Sequence, residues 1–179
     1  PHKFYGLNGF GGLIKNKDIV LEPLINGGSS TTIYRSGTPV IGQICALEKA
    51  LQITFEEFQK RRDYVQKLNE KIRKHLVNNK DVKINTINTD NPFILNISVS
   101  GIKATEFKAN LEQYGVCISI KSACTVTITP SRLVMAMTND RKRALSSWRI
   151  SLSHLVTEED IKKFLKIFDE CYKFFKEEK

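Results

Sequence analysis

The chain has 179 residues, with 28 basic against 19 acidic side chains and a 41% hydrophobic share. Gly and Pro number only 10 and 5, so composition excludes a disordered or fibrous chain and leaves one domain, or one and a part. No run of about eighteen apolar residues occurs, which excludes a membrane-spanning helix. The opening residues, Pro1 to Gly6, have no apolar stretch of the signal-peptide kind. The first residue is not Met, so the chain reads as a fragment or a processed product.

In chain order, the Gly-rich stretch Tyr5-Gly6-Leu7-Asn8-Gly9-Phe10-Gly11-Gly12 suits a tight turn feeding a strand at Leu13-Ile14. Ile19-Val20-Leu21 is a second short apolar run, and residues 27–32 form a loop by composition. Ser36-Gly37-Thr38-Pro39 opens a helix that carries Val40, Ile44, Leu47 and Leu51 at helical spacing. A longer amphipathic helix runs from about Phe55 to Val77, with Phe58, Val65, Leu68, Ile72 and Leu76 on one stripe. Residues 82–87 and 94–99 read as strands, the second alternating Ile94, Asn96, Ser98 against Leu95, Ile97, Val99.

A helix over 104–114 stops at Gly115, and residues 116–120 alternate as a strand. A short helix follows over 132–137, then a brief helix or turn over 141–146 and a strand over 148–152. The last helix begins at Thr157-Glu158-Glu159-Asp160, where a hydroxyl and three acids suit exposed amides. Its stripe is Ile161, Phe164, Leu165, Phe168, Cys171, Tyr172 and Phe175. After residue 55 this order predicts an α+β unit with a small, mainly antiparallel sheet.

The four cysteines, Cys45, Cys117, Cys124 and Cys171, form no Cys-x-x-Cys pair, and His2, His75 and His154 are scattered. No metal site or disulfide framework is predicted, and free thiols point to a reducing, cytoplasmic setting. The net charge of +9 invites a nucleic-acid reading, and basic residues are densest between Lys60 and Lys83. Tyr64 is the only aromatic among them, so no stacking platform interleaves the charges, and a solvated helix face is the expectation.

Four places could carry chemistry. Lys3, beside His2, can act as an amine only where its proton is shed; an exposed lysine is the plain alternative. Arg35-Ser36-Gly37-Thr38, ahead of a helix, offers hydroxyls and amides to an anion such as a phosphate, or is simply a cap. Cys124 lies in a loop between a strand and a helix, where a thiolate can be accessible and mobile. Cys45 and Cys171 lie on helix stripes, and Cys117 points into a strand, so these three are expected to pack. Arg149, inside the strand Trp148-Arg149-Ile150-Ser151-Leu152, needs a planar carboxylate, either a ligand's or an internal Glu or Asp.

In this order and spacing the segments resemble the cysteine desulfurases, pyridoxal-phosphate enzymes of the class V aminotransferase family with an α/β family fold. The resemblance runs from His2-Lys3 and Tyr5-Gly6-Leu7-Asn8-Gly9 through Arg35-Ser36-Gly37-Thr38. It continues in Asn91-Pro92-Phe93-Ile94-Leu95-Asn96-Ile97-Ser98, Ser122-Ala123-Cys124 and Pro130-Ser131. It ends in Ser147-Trp148-Arg149-Ile150-Ser151-Leu152 and Thr157-Glu158-Glu159-Asp160. It implies Lys3 as the Schiff-base lysine, His2 near the cofactor phosphate, and Thr38 reaching the phosphate of the other subunit of a homodimer. It implies Cys124 as the nucleophile that takes sulfur from L-cysteine as a persulfide, leaving L-alanine, and Arg149 as the clamp on the substrate carboxylate.

The resemblance further implies a sulfur-acceptor protein as partner, for iron-sulfur cluster assembly or other sulfur transfer; the lack of an apolar span and of a stacking platform predicts no membrane and no nucleic-acid partner. Where family members usually carry Gly-Gly-Gly-Gln/His-Glu, this chain has Gly27-Gly28-Ser29-Ser30-Thr31, and its Cys124 loop is slightly shorter than the common long form. The family's large domain extends well before the lysine. Residues 1–55 are therefore expected to be the C-terminal part of the cofactor-binding large domain, 56–179 the small α+β domain, and the 179 residues alone not a competent enzyme. The alternatives are another class V reaction, a lyase or aminotransferase with Cys124 incidental, or a non-catalytic dimerisation module.

Overall fold

The computed structural model describes residues 1–28, 32–87, 90–120 and 129–177. The chain forms two compact units, Pro1–Gln59 and Lys60–Lys179, with the boundary inside helix α1, Ile41–Leu76.

The first unit opens on a 3-10 turn, His2–Phe4, that ends at Tyr5 in a left-handed conformation (φ 68°). None of its described residues forms a strand. The expected strand-like runs are not packed: Leu13, Ile14, Ile19 and Val20 are exposed, Ile14 completely. A strand must hand its N–H and C=O groups to a neighbour, and the described residues of this unit supply none. No described residue of this unit is buried.

The two helices expected between residues 39 and 77 are one. Leu51-Gln52-Ile53-Thr54-Phe55 holds neither Gly nor Pro, so nothing breaks the ladder there. Thr54 Oγ1 donates to the Ala50 carbonyl at 2.7 Å, and Gln52 Nε2 donates to Glu56 Oε1 at 2.9 Å. The apolar spacing extends through α1, but burial does not: Ile44, Leu51, Phe55 and Phe58 are exposed, whereas Val65, Leu68, Ile72 and Leu76 are buried.

The second unit holds the core. Strands β1 (Val82–Ile84), β2 (Ile94–Val99) and β3 (Ser147–Ser151) form an antiparallel sheet in that spatial order. The predicted alternation in β2 is what the structure uses: Leu95, Ile97 and Val99 are buried with Trp148 and Ile150 of β3. Asn96 and Ser98 therefore project from the opposite, polar face, as does Arg149. The remaining elements are helices α2 (Ala104–Gln113), α3 (Arg132–Thr138), α4 (Arg141–Leu145) and α5 (Glu158–Glu177).

Helix α2 stops where expected. Gly115 sits at φ +76°, which favours glycine, and its N–H donates to the Glu112 carbonyl at 3.0 Å. Helix α5 starts with a reciprocal cap: Thr157 Oγ1 accepts from Asp160 N at 3.1 Å, while Asp160 Oδ2 accepts from Thr157 N at 2.8 Å. Phe107 of α2 stacks on Trp148 at 5.6 Å and meets Phe168 of α5 at 5.4 Å between ring centres. These three rings are fully buried and fix α2 and α5 against β3.

Polar clasps bind α1 to α5 and to the segment just ahead of it. His75 Nε2 lies 2.9 Å from Asp169, Lys71 Nζ 3.0 Å from Glu158, and Tyr64 Oη donates to the Val156 carbonyl at 2.9 Å. The basic stretch is thus partly structural. Arg73 donates to Asn69 Oδ1 at 2.7 Å and to the Thr86 carbonyl at 2.9 Å, while Lys67, Lys74 and Lys80 are exposed.

Candidate functional site

His2 and Lys3 occupy the 3-10 turn at the start of the first unit, both exposed. Thr38, also exposed, belongs to the same unit. The chain ahead of Thr38 doubles back: Ser36 N donates to the Ile25 carbonyl at 3.2 Å, and Gly27 packs so closely that a Cβ there would lie 3.0 Å from Ser36 Cβ. Gly37 has φ +132°, and a Cβ there would collide with Arg35 Nη1. Only glycine adopts this backbone without strain, and it leaves room for the Arg35 guanidinium to lie against the turn at Gly37. A guanidinium and a hydroxyl at one turn form a donor set suited to a phosphate. No helical cap is made by Thr38, since α1 begins only at Ile41.

Arg149 belongs to the second unit. Its backbone N–H donates to the Ser119 carbonyl at 2.7 Å and its carbonyl accepts from Ser119 N at 3.1 Å. That single bridge is what the structure makes of the strand expected over 116–120. The Arg149 side chain is half-buried, and its Nε is buried with no hydrogen-bond partner among the described residues. The internal carboxylate that could have satisfied it is not found: no ion pair among the described residues involves Arg149. A desolvated guanidinium donor without an acceptor costs about 1–3 kcal/mol or more.

Cys124 and its loop, 121–128, lie outside the described residues. Of the other thiols, Cys171 is buried as expected, and burial pushes it up to about 11. It is an inert packing group. Cys45 and Cys117 are exposed, against expectation. Cys45 lies on α1 within the first unit, where no described residue is buried. At Cys117 the alternation runs the other way, turning Ile118 inward instead. No cluster of three or more potential metal-ligating side chains occurs among the described residues, and no described helix is long and apolar enough to cross a membrane.

The polar face of the sheet carries a network that the motifs did not single out. Buried Asn85 accepts from Arg143 Nε at 2.7 Å and donates through Nδ2 to Asn96 Oδ1 and to Ser98 Oγ, each at 2.8 Å. Ser98 Oγ in turn donates to the Arg143 carbonyl at 2.8 Å. The signal was present in β2, where Asn96 and Ser98 alternate with three aliphatic residues. Nothing in sequence spacing pointed to Asn85 or Arg143 as their partners.

Residues 1–164 match the family described as aminotransferase class-V. The chain is 31% identical over 177 residues to the "NifS/IcsS protein homolog" of Lactobacillus delbrueckii subsp. bulgaricus, covering 97% of this chain and 46% of that protein. It is 32% identical over 167 residues to "Cysteine desulfurase IscS" of Vibrio atlanticus, covering 89% of this chain and 40% of that one. A solved structure titled "NIFS-LIKE PROTEIN" superposes with a TM-score of 0.75 at 29% identity, over 88% of this chain and 40% of that chain. The chain therefore spans less than half the length of the curated relatives it matches.

Proposed function

The chain belongs to the class-V aminotransferase family, and from that premise we propose that it is the C-terminal part of a pyridoxal-phosphate-dependent cysteine desulfurase. The observation that carries this reading is Arg149, whose buried Nε has no acceptor among the described residues. An α-carboxylate is the planar acceptor that a guanidinium fork satisfies best. In this reading the first unit is the end of a cofactor-binding domain and the second the smaller domain.

The residues present fit the cofactor. Lys3 would anchor it through its amine, His2 would stand near its phosphate, and Thr38, with Gly37 shaping the turn, would reach the phosphate of a partner subunit. When bound, pyridoxal phosphate supplies an electron sink next to the substrate's α-carbon. The chain's own residues do the rest. Arg149 holds the carboxylate of L-cysteine and so orients the side-chain sulfur. The Cys124 thiolate attacks that sulfur: an S–S bond forms as the C–S bond breaks, the electron pair goes to carbon, and a proton replaces the sulfur there. The products are L-alanine and a persulfide on Cys124, balancing one cysteine and one thiol.

The persulfide then passes to a sulfur-acceptor protein, for iron-sulfur cluster assembly or another sulfur pathway. The working state is a homodimer in the reducing cytoplasm. The test is to incubate the full-length protein with pyridoxal phosphate, L-cysteine and a thiol reductant, and quantify products. Equal release of alanine and sulfide is expected. Pyruvate and ammonia would indicate a lyase, an oxo acid an aminotransferase, and either would overturn the reading.

A further inference from the structure

We propose that Asn96 is a second donor for the substrate carboxylate, working beside Arg149 and setting the preference for α-amino acids over plain amines. This rests on the reading of Arg149 as the carboxylate clamp.

Asn96 and Arg149 are direct partners in the β2–β3 register. The backbone groups of both turn away from each other. Arg149 exchanges two hydrogen bonds with Ser119, and the Asn96 carbonyl accepts from Asn85 N at 2.8 Å and Thr86 N at 3.3 Å. Asn96 N donates to Thr86 Oγ1 at 2.7 Å. The pair is therefore a non-hydrogen-bonded one, the class in which opposed side chains stand closest, and both stand on the same face.

The orientation of the Asn96 amide is fixed. Its Oδ1 accepts from Asn85 Nδ2 at 2.8 Å, and Asn85 follows β1. The sheet order is β1-β2-β3, so the planar amide turns its Nδ2 away from β1, toward the strand that carries Arg149. Nδ2 makes no hydrogen bond among the described residues and is not among the fully buried unpartnered atoms. Asn85 cannot let the amide flip. It is 3% exposed, both protons of its own amide are used, and its oxygen holds Arg143. A flip at Asn96 would set two NH2 groups against each other.

One face of two adjacent strands thus presents a guanidinium with an unused donor and a preset amide donor, with no ion pair from Arg149 to a carboxylate among the described residues. A carboxylate has four lone-pair directions and needs more than one arginine to satisfy them. Asn96 adds a neutral donor without adding charge.

The experiment uses the full-length holoenzyme and two probes, L-alanine and ethylamine, which differ only by the carboxylate; each is titrated through the cofactor's absorbance. Asn96→Ala and Asn96→Val both remove the donor without placing a charge opposite Arg149. Both variants should weaken L-alanine about tenfold or more, as expected for one charge-assisted bond, with ethylamine unchanged. Equal weakening of both probes, or of neither, would overturn the inference and assign Asn96 to packing alone. Arg149→Lys, measured alongside, separates the two claims. If it leaves L-alanine binding intact, the clamp reading itself fails. If it weakens L-alanine while the Asn96 variants do not, the clamp stands and this inference falls.

Discussion

Replacing Asn85 by Ala should be among the most destabilising single polar changes in the second unit. The side chain is 3% exposed and makes three hydrogen bonds: to Asn96 Oδ1, to Ser98 Oγ and from Arg143 Nε. The two neutral bonds are worth about 1 kcal/mol each and the one from the Arg143 guanidinium about 2 kcal/mol, which bounds the direct loss near 4 kcal/mol. Two features reduce it. Ser98 keeps its bond to the Arg143 carbonyl, and half-buried Arg143 keeps a contact at 3.3 Å with the Ile84 carbonyl. The expected loss is about 3 kcal/mol. Urea unfolding followed through Trp148 emission measures it, as a lowered midpoint at unchanged denaturant dependence. A loss below about 1 kcal/mol would show that the network forms without cost or benefit, and would remove the reason given for the fixed Asn96 amide.

Three further outcomes follow from the geometry. The Asp81 carboxyl is held below its usual range chiefly by the hydrogen bond from Lys176 and then by that from Tyr172. Its stabilisation is present above the unfolded value of about 3.9 and lost as pH falls through the lower folded value. Asp81→Asn should therefore lower Tm at pH 7, and the gap to wild type should close in acid; a gap constant with pH would contradict this. Under native conditions iodoacetamide should modify Cys45 and Cys117 and spare Cys171, whose thiol burial pushes up to about 11; peptide mass mapping before and after denaturation reads this. Arg149→Lys should raise KM for L-cysteine by a factor corresponding to about 2 kcal/mol, since a point charge cannot reproduce the fork, and an unchanged KM would reject the clamp.

What was legible in the sequence was whatever depends on a segment's own alternation or chemistry. The period-two pattern from Ile94 to Val99 matches β2 residue for residue. The hydroxyl and acids at Thr157–Asp160 form the reciprocal cap, and the apolar stripe of α5 is the one that packs. What was not legible depends on partners. Leu13-Ile14 reads as a strand because its side chains are apolar, yet the described residues offer it no ladder. Cys45 has helical spacing with apolar neighbours but lies where no described residue is buried. Likewise the break expected near Phe55 had no Gly or Pro to enforce it, and α1 runs through. At the candidate site, Arg149 stood out because a lone arginine in an apolar strand needs an acceptor. Asn85 and Asn96 did not, since their pairing is a matter of sheet register across two strands.

Persulfide formation is read most directly from the mass of the peptide carrying Cys124 after the full-length holoenzyme has turned over L-cysteine without reductant. One added sulfur on Cys124 is expected, lost on treatment with dithiothreitol as sulfide. In Cys124→Ser, cofactor absorbance should be retained and sulfide release abolished, because a serine hydroxyl is a far weaker nucleophile near neutral pH. Wild-type sulfide release from Cys124→Ser, or added sulfur on Cys45 or Cys117 in place of Cys124, would contradict this role for Cys124.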